Sequence, residues 1–202
     1  MPPRLPIWKR LFDIFFALFL ALLLSPLLIG VALWILLCEG RPVFYVSERM
    51  RTEKSPFWLW KFRTMKPDTE DRGVTGQDKD TRITATGQFL RRSRLDELPQ
   101  LLNILRGDMS FVGPRPPLRR YVELYPELYA KVLQNRPGVT GLATAVFHQH
   151  EERILATSTS AEETEALYCR RCVPRKARLD LIYQAHLSLW LDLYVLKRTL
   201  KK

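Results

Sequence analysis

The sequence predicts a mainly helical α+β chain in two parts. Residues 1–40 form an N-terminal kinked re-entrant membrane helix. Residues 41–202 form a small cytosolic domain with short β-strands and interfacial amphipathic helices. Three observations carry this. Residues 14–38 contain no charged side chain, and Ser25 and Pro26 interrupt them at the middle. Residues 42–46 (P-V-F-Y-V) and 57–62 (F-W-L-W-K-F) are short runs of strand-forming residues. Beyond residue 118, apolar side chains recur at three-to-four spacing, the period of an amphipathic helix.

The uncharged run of about 25 residues would be about 38 Å long as one straight helix, and about 20 residues suffice to cross a bilayer. Length alone therefore allows a simple span. A proline inside the run removes a backbone hydrogen bond and bends the helix. Basic residues flank both ends, Arg4, Lys9 and Arg10 before and Arg41, Arg49, Arg51 and Lys54 after. Such flanks draw both ends to the cytoplasmic side, which suits two half-helices entering one leaflet. The aromatic residues that follow, among them Phe44, Tyr45, Trp58 and Trp60, suit either a headgroup belt or an ordinary core.

Residues 66–81, rich in Asp, Glu, Lys, Thr and Gly, read as a mobile surface loop, with a lid as one option. Residues 118–135 read as one helix with Tyr121, Leu124, Tyr125, Leu128 and Val132 on a face. Residues 136–143 are turn-rich. Ser160 and Glu163 form a capping box, and residues 187–200 a final amphipathic helix.

With 32 Lys and Arg against 21 Asp and Glu, the net charge is +11. Its partners are therefore anionic: nucleic acid, acidic lipid or a phosphorylated substrate. Three cysteines are too few for a disulfide framework. Cys169 and Cys172, with His148 and His150, have zinc-ligand spacing on one side only, and two ordinary thiols on a helix account for them as well.

The chemistry concentrates in residues 93–116, S-R-L-D-E-L-P-Q-L-L-N-I-L-R-G-D-M-S-F-V-G-P-R-P. The pattern predicts a helix from about Asp96, capped by Ser93, with Pro99 in its first turn and Gly107 just past its end. Carboxylates in a first turn are stabilised as anions by the helix dipole, and the same end, beside Arg91, Arg92 and Arg94, attracts phosphate. A carboxylate there can hold a divalent cation or attack phosphorus. Neighbouring helical positions point about 100° apart, so Asp96 and Glu97 take different roles.

The spacing L-D-E-L-P-Q-L-x-N-x-L-x-G-D-M-S-x-x-G-P-R-P closely resembles the central motif of the bacterial sugar transferases, the monotopic phosphoglycosyl transferases. K-F-R-T-M at residues 61–65, R-P-G-V-T-G at 136–141 and the Ser25-Pro26 pair resemble further motifs of that family. The resemblance implies a re-entrant helix kinked at Ser25 and Pro26, residing in the bacterial inner (cytoplasmic) membrane with the catalytic domain on the cytoplasmic face. It implies transfer of a sugar-1-phosphate from a UDP-sugar to polyprenol (undecaprenyl) phosphate with release of UMP. That reaction is the first membrane step of a surface glycan pathway, such as one making exopolysaccharide or lipopolysaccharide. Asp96 would be the nucleophile and Mg²⁺ ligand and Glu97 its auxiliary. Lys61, Arg63, Arg91, Arg115 and Arg136 would contact phosphate. A homodimer is compatible with these motifs.

The match weakens at residues 144–148 and at Arg51, where family members commonly carry other residues. These departures bear on substrate detail more than on reaction type. The competing reading is a membrane-anchored basic module that binds nucleic acid or acidic lipid without catalysis. It leaves D-E-L-P-Q and G-P-R-P without a purpose, and no nucleic-acid motif accompanies the charge.

Overall fold

A computed structural model describes residues 5–66 and 82–201. The expected loop lies, from residue 67 on, outside the described residues. Helix α1 (Ile7–Leu23) and helix α2 (Ser25–Glu39) meet at an angle of 61°. Pro26 cannot donate to the carbonyl one turn earlier, that of Leu22. The Ser25 hydroxyl donates to it instead, at 2.8 Å. Among the described residues no single helix is long and apolar enough to cross a membrane; the bent pair meets that test only together.

The surface of α1 is inverted relative to a soluble helix. Lys9, Asp13 and Ala17, at successive i+4 positions, are buried, while Leu11, Phe15, Leu18 and Leu22 are exposed. The buried charges have partners across the fold. Lys9 pairs with Asp192, which also accepts a hydrogen bond from the Tyr183 hydroxyl. Asp13 Oδ1 accepts from Ser110 Oγ at 3.0 Å and from the Phe111 amide at 3.2 Å. Phe16, Leu20 and Ala21 of α1 join one core with Ile104, Met109, Phe111 and Val195.

Strands β1 (Phe44–Met50) and β2 (Pro56–Phe62) form an antiparallel hairpin, in register from Phe44 opposite Phe62 to Met50 opposite Pro56. Both expected strand runs are present. Helix α3 (Ala85–Arg92) is capped by Thr84, whose hydroxyl accepts from the Gly87 amide at 2.9 Å. Gly87 packs against the backbone after β2: a β-carbon there would stand 2.1 Å from the Thr64 carbonyl oxygen.

Helix α4 (Gln100–Arg106) leads into β3 (Ser110–Val112), which pairs in parallel with β4 (Gly138–Thr140). Those three-residue strands escape periodicity, because residues 136–141 offer only glycine and proline punctuation around Val139. The helix expected over residues 118–135 is two, α5 (Arg119–Leu124) and α6 (Pro126–Val132), broken at Tyr125 before Pro126.

Helices α7 (Leu142–Leu155), α8 (Ala161–Leu167), α9 (Val173–Ala185) and α10 (Leu189–Leu200) complete the chain. Ser160 caps α8, accepting from the Glu163 amide at 3.1 Å as the capping box predicts, while the Glu163 side chain accepts from the Thr159 amide. Cys169 and Cys172 lie in a π-helical turn (Tyr168–Cys172) joining α8 to α9. Among the described residues, no group of three or more His, Cys, Asp or Glu comes together to hold a metal.

Removing one member of a buried ion pair strands the other. Lys9→Met is therefore expected to destabilise the protein by about 3–5 kcal/mol. Lys9→Met with Asp192→Leu should recover most of that loss. Thermal unfolding of the two variants in one detergent measures the difference, and equal loss in both would remove the pair from this role.

Candidate active site

After α3, Ser93 turns back to donate to the Phe89 carbonyl at 2.8 Å, ending that helix rather than capping the next. Arg94 follows in the left-handed region (φ 56°), reversing the chain. Leu95, Asp96 and Glu97 form one 3₁₀ turn, and Pro99 immediately precedes α4. The carboxylate pair thus precedes the helix instead of lying in its first turn, because the left-handed Arg94 leaves only a tight turn before Pro99. Leu95 and Leu98 pack against Phe62 and Leu90 and hold the turn down. Gly107 ends α4 at φ 88°, as expected.

Asn103 fixes α4 to the hairpin. Its Nδ2 donates to the Trp58 carbonyl at 2.7 Å and its Oδ1 accepts from the Trp60 amide at 3.1 Å. This seats β2, and with it Lys61, beside the carboxylates. Lys61 Nζ is 2.8 Å from Glu97 Oε1 and 3.9 Å from Asp96 Oδ2. Arg115 Nη2 approaches the same Glu97 oxygen at 3.3 Å. Arg91 donates through Nε to Thr64 Oγ1 at 2.9 Å, and its charge reaches Asp96.

Two adjacent carboxylates therefore sit in different environments. Burial pushes Glu97 up, but Arg115 and Lys61 outweigh it and hold its pKa at about 2. Asp96 is also buried, at 8% exposure, and there burial prevails: its pKa is raised, with Lys61 opposing and the Glu97 charge adding. Among the described residues none donates a hydrogen bond to Asp96. Glu97 is held as an organising anion, while Asp96 is a desolvated carboxylate with its oxygens open. Such a split is how paired acids come to hold different roles.

The profile of the family described as "Bacterial sugar transferase" matches residues 5–202. The chain belongs to the bacterial sugar transferase family. It is 37% identical to the uncharacterized sugar transferase EpsL of Bacillus subtilis (strain 168), over 97% of this chain and 87% of that one. It is 36% identical to the UDP-glucose:undecaprenyl-phosphate glucose-1-phosphate transferase of Escherichia coli (strain K12), over 96% of this chain and 39% of that one. A protein of the same name from Caulobacter vibrioides is 38% identical over 95% of this chain and 67% of its own length. The chain thus spans most of EpsL and well under half of the E. coli relative.

Not every cation expected at the site of this sugar transferase is there. Lys61, Arg91 and Arg115 surround the carboxylates. Arg63 is committed elsewhere: its guanidinium donates to the carbonyls of Glu39, Gly40 and Arg41 at 2.8, 3.0 and 3.1 Å, capping the end of α2. Arg63 and Lys61 lie two apart at the end of β2, and alternate strand residues share a face only within the regular strand, which stops at Phe62. Arg136 lies beyond the far end of α4, among Arg10, Arg51, Asp13 and Asp108. Arg94, whose charge helps to lower Glu97, was legible only as part of a basic cluster. Asn103 gave no sequence signal beyond its place in the motif.

The environment of Asp96 fixes the sign of two pH effects. An ionised Asp96 is required for nucleophilic or ligand chemistry, so activity should fall on the acid side through an apparent pKa above the ordinary aspartate value of about 3.9. Glu97→Gln removes a neighbouring negative charge and frees Lys61, so residual activity should lose its acid limb at lower pH. Lys61→Met removes the opposing cation and should move that limb higher. Rate profiles from about pH 4 to about pH 8, which spans the acid limb of a carboxylate, test both; shifts of the same sign would contradict this electrostatic picture.

Proposed function

We propose that the chain is a membrane-bound phosphoglycosyl transferase, moving a sugar-1-phosphate from a UDP-sugar to polyprenol (undecaprenyl) phosphate. The observation that carries the proposal is the open, desolvated Asp96 carboxylate beside a Glu97 already neutralised by Lys61 and Arg115. The relatives from E. coli and C. vibrioides, whose names state this class of reaction with glucose, support the reading.

In the proposed sequence an Asp96 oxygen attacks the β-phosphorus of the nucleotide sugar. The bond from that phosphorus to the bridging oxygen breaks, and UMP leaves with the bonding electrons. A phosphosugar–aspartyl intermediate remains. An oxygen of the polyprenol phosphate then attacks the same phosphorus, forms the diphosphate bond and releases Asp96 as a carboxylate. The donor and acceptor are both polyanions, so their approach needs fixed positive charge. Lys61, Arg91 and Arg115 supply it in a partly dry site, where such charge acts more strongly than in water. Glu97 holds two of those cations in place.

A divalent cation fits the donor set. Asp96 presents hard oxygens that accept no hydrogen bond among the described residues, and Mg²⁺ characteristically takes one or two carboxylates with substrate phosphates and water. Bound there, Mg²⁺ would neutralise phosphate charge, with Asp96 as its protein ligand.

The membrane part of the proposal is a re-entrant helix in the cytoplasmic membrane with the catalytic residues on the cytoplasmic face. The 61° bend at Ser25-Pro26 and the exposed apolar faces of both half-helices support it, with Phe15, Leu22, Ile29 and Leu37 all at least 60% exposed. Cysteines placed at positions 3 and 45 of a variant without native cysteines should both resist labelling from the periplasm. Labelling of either would refute the hairpin.

The chemical step has its own test. Enzyme, Mg²⁺ and UDP-sugar without lipid acceptor should release UMP to about one equivalent, as covalent catalysis requires. A sugar-phosphate adduct should appear on the peptide containing Asp96. Asp96→Asn should abolish both. Turnover with lipid present but neither burst nor adduct would favour direct attack by the acceptor, and release of UDP would make the enzyme an ordinary glycosyltransferase.

A further inference from the structure

Three arginines converge beyond the C-terminal end of α4, away from the carboxylate pair by the length of that helix, about 10 Å at 1.5 Å per residue. They come from three separate elements. Arg10 stands on α1, Arg51 directly follows β1, and Arg136 precedes β4. Arg10 is placed by donating to the carbonyls of Ile104 and Leu105 at 2.6 and 2.9 Å. A β-carbon on Gly107 would stand 3.5 Å from Arg10 Nη2 and 3.7 Å from Arg136 Nη1, so both guanidiniums border the same glycine. Arg51 reaches the neighbouring residue, with Nη1 3.8 Å from Asp108 Oδ1.

The cluster is short of acceptors. Arg136 Nε and Nη1 and Arg51 Nε are buried without a hydrogen-bond partner. The groups that act on Arg136 are Arg10 and Arg51, which repel it, and Asp13 and Asp108, which attract it. Asp108 Oδ2 is already engaged by Asn103 at 3.3 Å. Asp13 Oδ1 is taken by Ser110 and Phe111; its unpartnered Oδ2 and Asp108 Oδ1, 3.8 Å from Arg51, are internal acceptors that can compete. Burial and the like charge of Arg10 together push the Arg136 pKa down, the mark of a cation that lacks compensation. Yet the cluster is not sealed, since the Arg51 side chain is 33% exposed and that of Asp108 21%.

We propose that Arg10, Arg51 and Arg136 form a second anion site around Gly107 and Asp108, which binds a phosphate group separately from the Asp96 centre. Unpartnered N–H groups from Arg51 and Arg136, beside the charge of Arg10, suit a tetrahedral oxyanion with several acceptor oxygens better than a planar carboxylate. The phosphate can come from a phospholipid headgroup, since α1 carries Arg10, or from a soluble phosphate. The proposal stands whether or not Asp96 is a nucleophile.

Hydrogen exchange of the full chain in phosphatidylcholine nanodiscs tests it. Inorganic phosphate is added in one arm, against chloride at equal ionic strength. Phosphatidylglycerol is included in the discs in the other. Exchange in a peptide spanning residues 102–112 should slow by about threefold or more at a few times the dissociation constant. Slowing in the phosphate arm assigns the site to a phosphate group as such; slowing with phosphatidylglycerol alone assigns it to a lipid headgroup.

Arg51→Gln with Arg136→Gln should abolish the effect while leaving any phosphate protection at residues 91–98 intact. Arg51→Gln alone, at a partly exposed position, should weaken it even if the double variant does not fold. No protection in either arm, or protection unchanged in Arg51→Gln, overturns the proposal. The first of these results would mean that Arg136 is satisfied internally by Asp13.

Discussion

The position of α4 governs the rest of the site. Seven residues are too few for a helix to persist by itself in water, because nucleation is unfavourable and few hydrogen bonds repay it. Tertiary contacts must hold it, and they do so at three places. Asn103 ties its middle to the backbone of β2, Arg10 takes two carbonyls at its C-terminal end, and Leu101 and Ile104 enter the core. The 3₁₀ turn with Asp96 and Glu97 leads straight into this helix through Pro99, so the site is only as well placed as α4. The same Asn103 contacts bring Lys61 to the carboxylates, which couples the position of the acids to that of their cation.

From that placement follows an electrostatic division of labour. Both acids are buried, and burial alone raises a carboxylate pKa. Lys61 and Arg115 meet on one oxygen of Glu97, which reverses the effect there, whereas Lys61 stands 3.9 Å from Asp96 and does not. The Arg115 pair, with a difference of about an ångström in the Lys61 distance, thus separates a fixed counter-ion from a carboxylate open to an incoming group. The raised Asp96 pKa also leaves it a better base than an ordinary aspartate, and basicity favours attack as well as metal binding.

The inverted amphipathicity of α1 ties the apolar segment to the domain. Apolar side chains outside and charges inside would be self-defeating for a helix packed in water, since each buried charge must be matched. Here Lys9 and Asp13 find Asp192, Ser110 and Phe111, and Arg10 finds α4. The half-helix is therefore oriented by specific polar contacts, while its apolar face stays exposed. The same element that carries this face thus contacts the strand and the helix that follow the carboxylates.

The sequence by itself determined the mainly helical α+β class, the bend at Ser25-Pro26, the β1–β2 hairpin and the Asp96-Glu97 pair with Lys61, Arg91 and Arg115 as cations. These rest on local rules: a proline without an amide hydrogen, strand-forming runs, a glycine at a helix end, and a motif with its spacing intact. Only the tertiary structure decided that Asp96 and Glu97 sit in a 3₁₀ turn, that Arg63 caps α2, and that Arg136 joins Arg10 and Arg51 instead of the acids. A basic residue reads alike in a sequence whether it faces phosphate or a carbonyl. What distinguishes Arg63 from Arg115 is which acceptor lies within hydrogen-bond reach, and residues 22 to 24 positions away along the chain supply the acceptors for Arg63. Glu97 and Asp96, adjacent in sequence and nearly identical in chemistry, are told apart by Arg115, which pairs with Glu97, and by the distance of a lysine on β2.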